Sequence, residues 1–201
     1  MNSINFVILG DTSIAPQLGK RGTATDIAIY DRKTADTIYT WTISVAFPEK
    51  IQPLMQAVNI AEYAILNASS LDRYLGEQIV ALDSAGFKDG YVLHSYDVDR
   101  EKLRAMLRTT SLSNFQFLDS VDDLKGEMAK LKPKAMDGPL LVPADHAFDV
   151  KGVGTVVLGV VRQGSVKVYD DLVIMPTKKS VVVKSIHTDA RRSGAGLAQS
   201  F

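Results

Sequence analysis

The chain has 201 residues, 46% hydrophobic and 23% charged, and its 23 Lys and Arg balance 23 Asp and Glu. This suits one large or two small globular domains, and the zero net charge excludes a global basic field that would draw the whole molecule onto nucleic acid or anionic lipid. The absence of cysteine removes disulfides, thiolate metal sites and thiol nucleophiles together. The segment 1–9 has neither a basic start nor a small-residue cleavage site, and no apolar run approaches the roughly 18 residues of a membrane span, so a cytoplasmic protein without membrane contact is expected.

In chain order, Ile4 to Leu9 is an apolar-rich run of the kind buried on both faces of a parallel sheet. Asp26 to Tyr30 and Thr37 to Val45, rich in Ile, Thr, Tyr and Trp, read as two more strands joined by the turn-prone Asp31 to Asp36. Tyr63 to Leu66, Tyr91 to His94 and Phe115 to Leu118 add three. Leu71, Tyr74, Leu75, Ile79 and Leu82 fall at helical spacing within Leu71 to Ala85, and Gly86 stands where a helix stop belongs. Leu103, Met106 and Leu107 mark a second helix. Val121, Leu124, Met128 and Leu131 mark a third, opened by Ser120 with Asp123 as a capping box. Strands alternating with helices predict an α/β domain over residues 1–131, with right-handed crossovers and a mostly parallel sheet.

Lys132 to Pro139 has no apolar periodicity and reads as a linker. Over residues 140–201 the helical period is gone. Thr155 to Val161, Val166 to Val168, Leu172 to Met175 and Val181 to Ile186 are separated by Arg162–Ser165, Tyr169–Asp171 and Pro176–Lys179, which predicts a small all-β barrel or sandwich. Gly152 and Gly154 permit a tight entry into its first long strand, Gly159 relieves a bend there, and Gly164 supplies a hairpin turn. With few strands to close a barrel, either its end is missing or something pairs with its edge, including a second copy of the chain.

Asp145-His146-Ala147-Phe148, the run Gly152 to Val161, Gln163-Gly164-Ser165-Val166 and Lys184-Ser185-Ile186-His187 resemble the second domain of translational GTPases of the elongation factor Tu and SelB type. Gly19 to Ile27, Ala57 to Ile60, Gly76-Glu77, Ala81-Leu82-Asp83 and Gly86-Phe87-Lys88 resemble degenerate archaeal SelB-like paralogues. The resemblance implies a GTPase-like α/β domain followed by the elongation factor Tu domain II-like barrel, with tRNA, the ribosome or another translation factor as partner.

A working phosphate loop needs Gly, four residues, then Gly-Lys-Ser/Thr, so that backbone amides curl around the phosphates while Lys and a hydroxyl serve the terminal phosphates and magnesium. Counting from Gly10 gives Ala15-Pro16-Gln17, and counting back from Gly19-Lys20 gives Ile14 and Arg21, so both registers fail. Asp11 to Leu18 is also too short for the loop plus its usual helix, and Pro16 removes an amide donor. At the family's magnesium-linked Asp-x-x-Gly segment stand Ile43 and Ala46, with Phe47 in place of the water-positioning His. Of the guanine-reading motif only Asp97 matches, and it suits the N-cap of a helix beginning near Val98 better; Thr23 or Thr25 stands near the switch Thr.

The expectation is therefore a binding protein without GTPase catalysis, no catalytic residue, no metal and no cofactor, keeping a remnant nucleotide site at Gly10, Asp11, Thr12, Ser13 and Asp97. The alternative is a GTP-binding elongation factor with a nonstandard phosphate loop, which alone would call for GTP or GDP and magnesium. The carboxylates of Asp97 to Glu101 suit a first helical turn better than a cation loop, and His94, His146 and His187 lie too far apart for ligand spacing. Asn67 to Ser70 and Thr109 to Ser113 contain no nucleophile elbow. Residues 139–201 carry eight Lys or Arg against five Asp; Lys178, Lys179, Lys184, Arg191 and Arg192 either contact phosphates of a tRNA or keep strand edges soluble.

Overall fold

The computed structural model describes residues 2–134, 138–188 and 197–200. The chain divides into two compact units, residues 1–133 and 134–201. The expected linker falls at this division, with residues 135–137 outside the described ones.

In the first unit β1 (Asn2–Gly10) lies at the middle of a seven-stranded sheet. It is parallel to β4 (Thr37–Ser44) on one side and to β5 (Tyr63–Ala68) on the other. Beyond β5 come β6 (Gly90–His94) and the short β7 (Gln116–Phe117), both parallel. Beyond β4 come β3 (Ile27–Lys33) and β2 (Lys20–Ala24), both antiparallel. The sheet is therefore mostly parallel with an antiparallel margin.

The period of a strand explains how β1 is buried on both sides. Val7 and Leu9 point to one face, where Leu54 and Val58 of α2 (Ile51–Ile60), Leu75, Ile79 and Leu82 of α3 (Arg73–Ser84) and Leu103 of α4 (Arg100–Leu107) pack on them. Ile4, Phe6 and Ile8 point to the other, against Leu18 of the single-turn α1 (Ala15–Leu18), Leu124 and Met128 of α5 (Val121–Met128), and the aromatic residues Tyr39, Trp41 and Tyr63. The one turn of α1 leaves room on this face, which the aromatic side chains fill.

Helix ends follow their caps. Asp72 accepts from the Leu75 amide, Asp99 from those of Glu101 and Lys102, and Ser120 from that of Asp123, as the capping box requires. Gly86 ends α3 at φ +73°. Leu71 and Tyr74, placed on the apolar face by spacing, are 36% and 39% exposed: Leu71 precedes the helix, which begins at Arg73, and Tyr74 stands in its first turn with its ring edge-on to Phe47. Met106 is likewise exposed, and α4 is capped by Asp99 rather than Asp97. Three elements of this unit carry no sequence signal: the single-turn α1; α2, apolar on most sides and starting without a side-chain cap; and the basic edge strand β2. Among the described residues no helix is long and apolar enough to cross a membrane.

Tyr91, 6% exposed on the aromatic face, has its phenol pushed up to about 12, first by burial and then by Glu127, Tyr63 and Asp89. Because the folded value lies above the unfolded one near 10, the phenol ionises first in the unfolded chain. Stability is intact below about pH 10 and falls by on the order of 3 kcal/mol as the pH rises to about 12. Denaturant titrations across this window are expected to show the fall, and Tyr91→Phe is expected to flatten it.

The described residues of the second unit contain strands and no helix. β8 (Ala144–Val150), β9 (Gly154–Gly159), β12 (Ser185–Thr188) and β13 (Leu197–Ser200) form an antiparallel sheet in the order β12-β13-β9-β8, and β10 (Asp171–Ile174) pairs with β11 (Lys179–Val182) as a hairpin. Val166 to Val168 is not a strand. The Lys167 amide donates to the Asp170 carboxylate, the Asp170 amide donates to the Lys167 carbonyl, and Tyr169 has φ +75°, so the segment curls into a turn. Val181 to Ile186 is split in two around Val183, whose amide and carbonyl bond Asp170 and Tyr169. Gly159 answers a close approach rather than a bend, since a Cβ there would lie 2.5 Å from the Pro143 carbonyl oxygen. Val183 is the one buried large hydrophobic residue among those described in this unit.

Candidate functional site

In an open α/β sheet ligands bind outside the carboxyl ends of the strands, where neighbouring strands connect in opposite directions. Here that place is the end of β1, flanked by β4 and β5. A cavity of about 320 Å³ lies there, lined by Gly10 to Thr12, by Ser69 and Ser70 after β5, and by Asp72, Tyr74 and Gln78 of the α3 region. Gly10, at φ +81°, turns the chain into a short 3-10 segment, Thr12–Ile14, that runs directly into α1. The segment is too short to arch over a ligand.

Three backbone donors of this turn are engaged within the chain. The Gly10 amide donates to Gln78 Oε1, that of Asp11 to the Asn67 carbonyl at 2.8 Å, and that of Ser13 to Asp11 Oδ1 at 2.9 Å. Asn67 Nδ2 closes the arrangement by donating to the Asp11 carbonyl at 2.8 Å. The charge is also of the wrong sign for a phosphate. Asp11 and Asp72 line the cavity and, among the described residues, no Lys or Arg does; the cation flanking Asp72 in the chain, Arg73, lies 4.7 Å over the Tyr74 ring. The Leu75 amide, and then the Ser70 hydroxyl, hold the Asp72 carboxyl below the usual carboxylate range.

The structure thus gathers Gly10, Asp11, Thr12 and Ser13 into one turn, with Gly10 to Thr12 on the cavity wall, while Asp97 is exposed in the loop after β6 and does not line it. Ile43 is buried in the aromatic-face core, and Phe47 packs edge-on against Tyr74 with ring centroids 6.2 Å apart. Thr25 is exposed; nothing is described of the Thr23 side chain. Gln78 and Asn67 escaped sequence reasoning. The available signal was a Gln on the same helical face as Leu75, Ile79 and Leu82, and Gln78 is only 8% exposed.

Among the described residues no three His, Cys, Asp or Glu side chains converge as a metal site. His94 Nδ1 meets the Ser95 carbonyl at 3.1 Å, and His146 and His187 are exposed. In the second unit Lys178 and Lys179 sit together at the tip of the β10–β11 hairpin, whereas Lys184 lies past the other end of β11, about 16 Å along the strand direction. All three are exposed and form no ion pair among the described residues. Arg191 and Arg192 lie outside the described residues.

No protein-family model matches the chain. An uncharacterized protein of Methanocaldococcus jannaschii is 33% identical over 188 residues, covering 91% of this chain and 61% of that relative. The selenocysteine-specific elongation factor of the same organism is 29% identical over 162 residues, covering 69% of this chain and 34% of the factor. The crystal structure of elongation factor SelB from Methanococcus maripaludis, solved with the GTP analogue GppNHp, superposes with a TM-score of 0.75 over 99% of this chain and 51% of that one, at 22% identity. The chain is similar in sequence and in fold to SelB-type elongation factors. It spans less than two thirds of the length of each of these proteins. Its fold, a GTPase-like α/β unit followed by a β unit, is the expected one.

Proposed function

We propose that this translation-factor-like chain is a cytoplasmic binding protein that works without nucleotide, engaging tRNA, the ribosome or another translation factor partly through the cations of its β unit. The observation that carries this reading is the closure of the Gly10 amide by Gln78, in a cavity lined by two carboxylates and, among the described residues, by no Lys or Arg. A triphosphate entering here would have to displace these internal bonds and approach Asp11 and Asp72 without a Lys to offset them. GTP and magnesium do not fit the residues present, and no step of hydrolysis is assigned to them.

Isothermal titration of the chain with GDP and with GTP, each with magnesium, tests the reading. No heat of binding is expected up to millimolar nucleotide. Micromolar binding would overturn the proposal and favour a nucleotide switch with a nonstandard phosphate loop.

A further inference from the structure

The chain is neutral overall, and Asp99 to Asp119 holds four cations, Arg100, Lys102, Arg104 and Arg108, against Asp99, Glu101 and Asp119, of which Asp99 pairs with Lys102 at 3.9 Å and Asp119 with Arg100. Three of the four fall on one stripe. Arg100, Arg104 and Arg108 are spaced i, i+4, i+8 along α4 and its C-cap, a line of about 12 Å.

The stripe is built rather than merely charged. The guanidinium of Arg100 lies 5.4 Å and that of Arg104 4.9 Å from the ring centre of Phe117 on β7, the last strand of the sheet. Arg100 is also tied to Asp119 at 3.1 Å. Arg104 and Arg108 are exposed and form no ion pair among the described residues. His94 stacks at a tilt on the same Phe117, 6.5 Å away, with its Nε2 buried and without a partner among the described residues. Beyond Arg108 the chain continues through Thr109, Ser113 and Asn114, exposed groups that donate and accept hydrogen bonds without charge.

We infer that this α4–β7 face is an RNA-binding surface, separate from the cavity at β1 and from the cations of the β unit. A row of guanidinium groups matches a row of phosphates, and guanidinium planes held on an aromatic ring offer flat surfaces for unpaired bases. Hydroxyl and amide side chains beside them add sugar and phosphate contacts. An acidic protein would meet the same charge. A protein interface, however, takes its affinity from apolar or aromatic anchors in pockets, and the only large hydrophobic residue of this segment that is exposed, Met106, lies on another side of α4.

The test is fluorescence anisotropy of the full chain with a labelled, unstructured RNA of about 12 nucleotides, repeated over a range of salt. The unaltered chain is expected to bind at low salt. R104A/R108A is expected to weaken binding tenfold or more, and to reduce the slope of log affinity against log salt by about 1.4, the value for two lost phosphate contacts on a single strand. R104K/R108K is expected to keep the slope and lose part of the affinity, because it retains the charge without the planar fork. Unchanged unfolding midpoints in both variants exclude a folding defect, which exposed side chains should not cause. Absence of RNA binding by the unaltered chain overturns the inference. So does an unchanged affinity and slope in R104A/R108A, or binding of polyglutamate where the RNA fails. Loss of binding in K178A/K179A/K184A but not in R104A/R108A assigns RNA to the β unit, sinking this inference while leaving the proposed function standing.

Discussion

Replacing Trp41 with alanine is expected to destabilise the first unit by about 3–5 kcal/mol, within the range for removing a fully buried aromatic side chain. Trp41 is 0% exposed. Its ring stacks on Phe6 at 5.9 Å and on Tyr39 at 6.1 Å, and the Arg32 guanidinium lies 5.7 Å over it. The indole also abuts the backbone where α1 ends, since a Cβ on Gly19 would come within 2.9 Å of Trp41 Cζ3. The element whose end the indole touches, α1, is a single turn and offers little chain to collapse into the hole. Trp41→Phe is expected to cost less. It keeps an aromatic ring in place and removes a buried Nε1–H that has no acceptor among the described residues. Urea unfolding followed by circular dichroism checks both, because Trp41 is the only tryptophan and its own fluorescence disappears with it. A loss below about 1 kcal/mol for the alanine variant would show that the face repacks freely.

The second large effect is at the cavity. Gly10→Ala is expected to cost about 2–4 kcal/mol, more than a left-handed backbone alone would explain. Gly10 has φ +81°, and a Cβ there would stand 2.1 Å from the Asn67 carbonyl oxygen. The ends of β1 and β5 must part to admit it. The bonds joining Asp11 and Asn67, and the one from Gly10 to Gln78, would then be strained or lost. Hydrogen exchange should show faster exchange of the Asp11 amide in the variant. Gly76→Ala is the matched control: Gly76 lies inside α3 with open space where its Cβ would go, so a gain of about 0.5–1 kcal/mol is expected. Equal effects at the two glycines would refute this account of Gly10.

The fold was legible where local chemistry and tertiary burial agree. Ile4 to Leu9 is apolar on both sides because both sides are covered, and Ser120 with Asp123 caps α5 as its spacing requires. The misses have equally local causes. α2 is apolar on most sides, with Pro53 in its first turn, which hides the helical period. β2 is a charged edge strand whose only neighbour is β3, so pairing rather than composition makes it a strand. Val166 to Val168 looked like a strand by composition, but the Asp170 carboxylate bonds the Lys167 amide and turns the chain away. At the site, the failed spacing around Gly10 and Gly19 was visible in the sequence. What engages the Gly10 amide was not, because Gln78 stands 68 positions away from it.

The Gly10–Gln78 contact has a consequence for competition. An acceptor built into the same molecule is always present, at an effective concentration set by geometry, whereas a dissolved anion must arrive from dilute solution and surrender its freedom of motion. Under the proposed function, raising the concentration of free phosphate compounds is expected to do little to open this contact, and cutting the Gln78 side chain short to do far more. Gln78→Ala vacates the acceptor but leaves Asp11 and Asp72 in place, so it would free the Gly10 amide without making the opening hospitable to an anion.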